Sequence, residues 1–211
     1  MKLDTALYFI TDSTGFEKDE FLRRIRSALE GGVTIIQLRE KNRTTREYID
    51  LAEAVHGITV EFNVPLIIDD RIDVMLAADC EGVHVGAEDM PVAVARKLIG
   101  KDKILGATAK TVEAAVSAYN DGADYLGVGA IYPTTTKVKT VLTSTETLDA
   151  ITKAVPIPVN AIGGLNASNL GVLKGIDIAG VCAVSAIMKA ESPKKAAEDL
   201  KQAFEDLRRN S

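Results

Sequence analysis

Phe21-Leu22-Arg23-Arg24-Ile25-Arg26-Ser27-Ala28-Leu29-Glu30-Gly31-Gly32-Val33-Thr34-Ile35-Ile36-Gln37-Leu38-Arg39-Glu40-Lys41 contains the two periodicities that decide the fold. Phe21, Leu22, Ile25, Ala28 and Leu29 recur at helical spacing, and Gly31-Gly32 supplies the stop. A short β-branched run centred near Ile36 follows at once, which is the signature of a strand. Working outward, the same alternation fills the chain, with further strand candidates centred near Phe9, Ile67, Val83, Leu105, Gly127, Ala161 and Cys182. Most lack polar alternation, as strands covered on both faces should. A helical stretch is expected after each. Clear N-terminal signals stand at Thr44-Thr45 before Arg46, at Asp89-Met90-Pro91, at Thr111 followed by Glu113, and at Ser192-Pro193, with the last helix running to about Arg208. Eight strand–helix units in 211 residues leave roughly 26 residues each, enough for short loops and little else. The reading is a single (β/α)8 TIM barrel domain over residues 1–211. An open doubly wound sheet is the alternative, and the lack of a dinucleotide fingerprint speaks against it.

Hydrophobic residues make up 46% and charged residues 26%, which sets the chain apart from disordered and membrane proteins. No apolar run approaches the roughly 20 residues that span a bilayer, and Met1-Lys2-Leu3-Asp4 does not open a signal peptide. Cys80 and Cys182 lie apart among apolar neighbours and read as buried free thiols, which suits a cytoplasmic protein. With a net charge of −5 there is no global basic field for nucleic acid or an anionic membrane. Positive charge for an anionic ligand must be local.

In such a barrel the active site lies at the carboxyl ends of the strands. The alternation Gln37, Arg39, Lys41 points three polar side chains one way at a strand end, and two cations there make an anion site. The competing reading is a solvated rim salt-bridged to Glu40 or Asp12. Asp70 and Asp89 end neighbouring strands and could reach one point above the barrel mouth. Their hard oxygens suit Mg²⁺, which takes one or two protein carboxylates and completes its shell with water and phosphate. Helix capping is the bland alternative for both. Gly163-Gly164 after the seventh strand and Ser185-Ala186 after the eighth stand where barrels bind phosphate through backbone N–H groups. Long connections run from Thr11 to Lys18 and from Gly129 to Ser144, the second carrying Thr134, Thr135, Thr136 and Lys137. Two anion sites imply two phosphorylated ligands. No Ser/His/Asp or Cys/His arrangement stands at hydrolase spacing; His56 reads as structural, and His84 is left without a role.

These residues carry a resemblance to the thiamin phosphate synthase family over almost the whole chain, from Leu7-Tyr8-Phe9-Ile10-Thr11-Asp12 to Ser185-Ala186-Ile187. The matching segments are Gln37 to Lys41, Asp70 to Val74, Gly82 to Pro91, Gly122 to Gly129, the threonine/lysine loop and Ala161 to Gly164. The resemblance implies an Mg²⁺-dependent transferase that takes a pyrimidine diphosphate and a thiazole phosphate. It assigns Gln37, Arg39, Lys41, Thr108 and Lys137 to the diphosphate substrate and Asp70 and Asp89 to the metal. Thr134, Thr136, Gly164, Val184 and Ser185 go to the thiazole phosphate. Leu38, Glu40, Asp69 and Thr135 are counted as further substrate contacts, and Arg39, Lys41, Thr108 and Lys137 as catalytic. The implied chemistry is loss of diphosphate followed by capture of a pyrimidine cation by the thiazole nitrogen, a step that needs no base. The Gly129 to Ser144 loop is expected to close over the diphosphate with Lys137.

Two departures stand out. Asp69 occupies a position where the family usually has asparagine, and Thr108 replaces a serine while keeping its hydroxyl. Asp69 would repel the diphosphate, tighten the metal, or be held protonated by its neighbour, and repulsion partly offset by Mg²⁺ in a solvated barrel mouth is the favoured expectation. Asn160 interrupts an apolar strand without explanation. The rival functions are a thiazole tautomerase-like isomerase of the same fold and a degenerate ligand-binding homologue. A homo-oligomer is compatible with the sequence.

Overall fold

The computed structural model describes residues 3–133 and 141–209. Eight parallel strands close on themselves: β1 (Leu7–Ile10), β2 (Ile35–Leu38), β3 (Leu66–Asp69), β4 (Gly82–Val85), β5 (Ile104–Ala109), β6 (Tyr125–Gly129), β7 (Val159–Ile162) and β8 (Gly180–Ala183). β8 pairs back to β1 in the register Tyr8 with Cys182, so the sheet has no open edge and the doubly wound alternative is excluded.

Around it stand α1 (Lys18–Glu30), α2 (Thr45–Glu61), α3 (Ile72–Ala77), α4 (Val92–Ile99), α5 (Val112–Asn120) and α6 (Thr145–Ala154), followed by α7 (Ser185–Met188) and α8 (Pro193–Arg209). Phe21, Ile25, Ala28 and Leu29 form the buried stripe of α1, as their spacing requires. α2 starts at a full capping box, in which Thr44 and Glu47 satisfy each other's backbone N–H groups. Thr111 caps α5 by accepting from Ala114 N at 3.2 Å. The seventh unit departs from the expected repeat. After β7 the chain makes an Asn166-centred turn and a 3-10 turn over Leu170–Leu173 in place of an α-helix. Asn166 and Asn169 bind local backbone there, a competition that shortens helices.

Strand side chains split into two cores. The outward set, with Leu7, Phe9, Ile36, Leu38, Ile68, Val83, Leu105 and Val128, packs under the helices. The inward apolar set is small: Tyr8, Ile10, Ile35, Ile67, Tyr125 and Cys182. The strands were expected to be apolar on both faces, yet Gln37, Asp69, His84 and Asn160 are buried polar residues inside the barrel. Asn160 thereby gains an explanation: its Nδ2 donates to the Thr5 carbonyl at 2.6 Å, tying β7 to the chain entering β1. Both cysteines are buried free thiols. No described helix is long and apolar enough to cross a membrane.

Candidate active site

The carboxyl ends of the strands enclose a cavity of about 460 Å³ whose floor is neutral and whose rim is charged. Gln37, Arg39 and Lys41 all line it, as period-two alternation predicts. The same alternation turns Leu38 and Glu40 away, so these two expected contacts do not line the cavity. Leu38 is buried in the outer core, and Glu40 accepts from Ser13 Oγ and Arg43 Nε, both at 2.8 Å.

Arg39 and Lys41 do not pair with Glu40 or Asp12 among the described contacts. They reach across to the end of β3 instead, where Arg39 Nε lies 3.7 Å and Lys41 Nζ 2.8 Å from Asp69 Oδ2, and Lys41 also pairs with Asp70. Adjacent carboxylates can share one cation because the chain turns between them. Asp70 takes a φ of 60°, unusual for a non-glycine residue, while its N–H donates to the His84 carbonyl at 2.8 Å. Asp89 folds back from the end of β4, accepting from Gly86 N at 3.0 Å and bringing its carboxyl up against that of Asp70. Neither aspartate caps a helix. The N-cap positions of α3 and α4 are Arg71 and Pro91, without a side-chain cap bond, so the capping alternative falls.

The electrostatics follow from this crowding. Burial and then the neighbouring Asp70 charge push the Asp69 carboxyl up to about 6, against the pull of Lys41 and Arg39. Asp69 is therefore a buried counter-ion of the two cations, and the expectation of a solvated, screened position is corrected. Burial also opposes ionisation of Asp70, but hydrogen bonds with Lys41 and Asp89 outweigh it and hold its carboxyl below the usual range. Burial and Asp70 raise Asp89. Two facing hard-oxygen carboxylates on the cavity wall fit a divalent cation, which would relieve their mutual repulsion. Among the described residues no group of three or more His, Cys, Asp or Glu has metal-binding geometry. Two carboxylates match the small protein ligand set that Mg²⁺ accepts when phosphate oxygens and water supply the rest.

On the floor, His84 is buried by Thr108, which lies 2.9 Å from Nε2, and by Tyr125, whose hydroxyl lies 3.2 Å from Nδ1. Burial lowers its pKa to about 4, so it is neutral near pH 7. His56 pairs with Glu81 at 2.9 Å outside the barrel, as a structural residue would.

Gly163 and Gly164 turn the end of β7 with φ of 106° and 65°, and a Cβ on either would collide with Ala130 or Tyr132. They share the cavity with Val184 and Ser185 at the start of α7. Thr134, Thr135, Thr136 and Lys137 lie outside the described residues. The flanks of their loop are pinned together, with Thr143 N donating to Ala130 O at 2.9 Å and Thr143 Oγ1 to Gly129 O at 3.0 Å. The structure also brings in Lys110, Tyr8 and Tyr125, which the sequence reading did not single out. Lys110 follows Thr108 at the spacing that marks Gln37, Arg39 and Lys41, and that alternation could have found it.

A family model described as thiamine monophosphate synthase matches residues 7–187. The chain belongs to this family. It is 46% identical over 204 residues to the thiamine-phosphate synthase of Clostridium tetani, covering 97% of this chain and 98% of that one. It is 52% identical over 185 residues to thiamine-phosphate synthase 2 of Streptococcus pneumoniae, covering 88% of each. Among solved structures, thiamine phosphate pyrophosphorylase from Pyrococcus furiosus superposes with a TM-score of 0.87 at 39% identity, covering 96% of both chains. This membership makes the chain an enzyme, a transferase with thiamine-phosphate synthase activity in general.

Proposed function

We propose that the cavity joins 4-amino-2-methyl-5-(diphosphooxymethyl)pyrimidine to 4-methyl-5-(2-phosphoethyl)thiazole by a dissociative substitution assisted by Mg²⁺. The observation that carries this reading is the division of one cavity into a neutral floor and a charged rim, with Asp70, Asp89, Arg39 and Lys41 together on the rim. Asp70 and Asp89 would hold the cation, which when bound neutralises diphosphate charge.

Arg39 and Lys41 would leave Asp69 to grip the diphosphate oxygens, and Lys110 would add a third cation. As the methylene C–O bond breaks, both electrons leave with the diphosphate, whose added negative charge these cations stabilise. The thiazole nitrogen lone pair then forms the C–N bond. It has no proton to lose, which agrees with a floor whose one histidine is neutral and hydrogen-bonded at both nitrogens. Gly164, Val184 and Ser185 would seat the thiazole phosphate. Thr134, Thr136 and Lys137 are assigned by resemblance.

Incubating the protein with both substrates and Mg²⁺ should yield thiamin phosphate and diphosphate in equal amounts. Isomerisation of the thiazole without coupling would favour the tautomerase-like reading. Binding without any turnover would favour a degenerate homologue.

A further inference from the structure

Five polar side chains cross the barrel floor in one unbroken chain. Gln37 Nε2 donates to the Tyr8 hydroxyl at 2.8 Å, and the Tyr8 and Tyr125 hydroxyls lie 2.6 Å apart. Tyr125 is 3.2 Å from His84 Nδ1, and His84 Nε2 is 2.9 Å from Thr108 Oγ1. The links come from β2, β1, β6, β4 and β5 in turn, so the chain spans the barrel from one cavity wall to another. Gly106 makes the crossing geometrically feasible, because a Cβ there would occupy the space where the Tyr125 hydroxyl meets His84 Nδ1.

With the Gln37 amide placing Nε2 toward Tyr8, counting hydrogens gives the chain its direction. A phenol has one hydrogen to give. Tyr8 already accepts from Gln37, so its own hydrogen goes to Tyr125; the reverse would leave a buried donor without an acceptor. Tyr125 then donates to His84 Nδ1. A neutral imidazole that accepts at Nδ1 carries its hydrogen on Nε2, which donates to Thr108 Oγ1. The Thr108 hydrogen is left to point into the cavity. At the other end, Gln37 spends one amide hydrogen on Tyr8 and keeps Oε1 and its second N–H for a ligand.

We propose that Tyr8, Tyr125 and His84 are positioning residues that fix which floor groups donate and which accept, selecting a flat nitrogen heterocycle with an acceptor nitrogen beside an amino donor. An oxo group in place of the amino group would set an acceptor against the fixed Gln37 carbonyl. Discrimination of this kind comes from leaving a built polar group unpaired. The inference rests on the pyrimidine lying against Gln37 and Thr108, as proposed above, but the hydrogen-bond direction can be read without any substrate.

The first experiment is ¹⁵N NMR of the substrate-free protein carrying His56→Gln, which leaves His84 as the one histidine signal. His84 should be the Nε2–H tautomer, and adding Tyr125→Phe should abolish that preference by removing the donor to Nδ1. A dominant Nδ1–H tautomer, or one indifferent to Tyr125→Phe, overturns the assignment. The second experiment is kinetic. Tyr8→Phe and Tyr125→Phe should each raise KM for the aminopyrimidine diphosphate on the order of tenfold and leave KM for the thiazole phosphate unchanged. Both should also narrow the preference for the amino over the 4-oxo pyrimidine, measured by competition. Equal losses toward both substrates, or no change in selectivity, would mean that the tyrosines only support the fold. If no coupling occurs at all, the proposed function fails, while the tautomer and calorimetric binding of the amino and oxo pyrimidines still decide the network.

Discussion

On the cavity floor, Gln37, Tyr8, Tyr125, His84 and Thr108 hold one another through neutral hydrogen bonds that the protein itself completes. On the rim, Arg39 and Lys41 hold Asp69, and Lys41 also holds Asp70, through charge, while Asp89 stands against Asp70. On the proposed reading the floor would keep its partners when a ligand arrives, so that its geometry is fixed beforehand for recognition. The rim pairs would be exchangeable on the same reading: a diphosphate would compete with Asp69 for Arg39 and Lys41, and a divalent cation would compete with Lys41 for Asp70. The cations that pair with the rim carboxylates would thus be released to bind when both proposed ligands enter.

The strongest way to break this comparison is to remove a rim carboxylate. Asp70→Ala and Asp89→Ala should each lower turnover on the order of a hundredfold, the scale of losing a group that stabilises transition-state charge. Thermal stability should change little, because neither residue caps a helix. Chelation of divalent cations should abolish coupling in the unmodified protein. A variant that loses folding and activity together would return these residues to a structural role.

Acid titration separates His84 on the floor from Asp69 on the rim with opposite signs. His84 titrates near 4 in the fold against 6.5 when unfolded, so the unfolded chain takes its proton first and stability is lost as pH falls from 6.5 to 4. Asp69 titrates near 6 in the fold against 3.8 when unfolded, so the folded protein takes its proton first and stability is gained as pH falls from 6 to 3.8. The two effects have opposite signs, so in the unmodified protein each masks part of the other. Asp69→Asn should uncover the histidine loss, making the protein more acid-labile than its parent between pH 6.5 and 4. His84→Gln should uncover the opposite slope. Urea unfolding at successive pH values reads both, and parallel curves for the three proteins would refute the offset.

The rim was far more legible in the sequence than the floor. Gln37, Arg39 and Lys41 announce themselves because charge directly after an apolar strand has few structural uses, and Asp70 and Asp89 followed from strand order in a barrel. Leu38 and Glu40 were carried along with that segment although period two sends them outward. Tyr8, His84 and Tyr125 sit within apolar strand runs, and nothing local distinguishes an inward tyrosine from an outward one. Their meaning arises only when β1, β4 and β6 face each other across the closed barrel. The eight strands were readable from alternation, but the missing helix after β7 was not, because asparagine turns act through specific backbone bonds that periodicity does not register.

The smallest expected effect concerns Lys110, which sharpens the distinction between a paired and an unpaired rim cation. Lys41 neutralises Asp69 and Asp70, so its removal changes the protein even without ligand. Lys110 is exposed at the cavity edge and forms no ion pair with a described residue, so its charge is available to a ligand from the start. An exposed cation meeting a phosphate in solvent contributes up to about 1 kcal/mol, which sets the size of the effect at roughly three- to fivefold. Lys110→Ala should therefore raise KM for the pyrimidine diphosphate by that factor, with kcat, thermal stability and KM for the thiazole phosphate nearly unchanged. Because the interaction is solvent-exposed, the difference from the parent should shrink as salt rises from 50 to 500 mM. Lys41→Ala should keep most of its larger defect at high salt, since its pairs are part-buried. Equal salt dependence in the two variants would show that the rim cations act as one diffuse field, and the division into internally paired and ligand-facing charges would have to be abandoned.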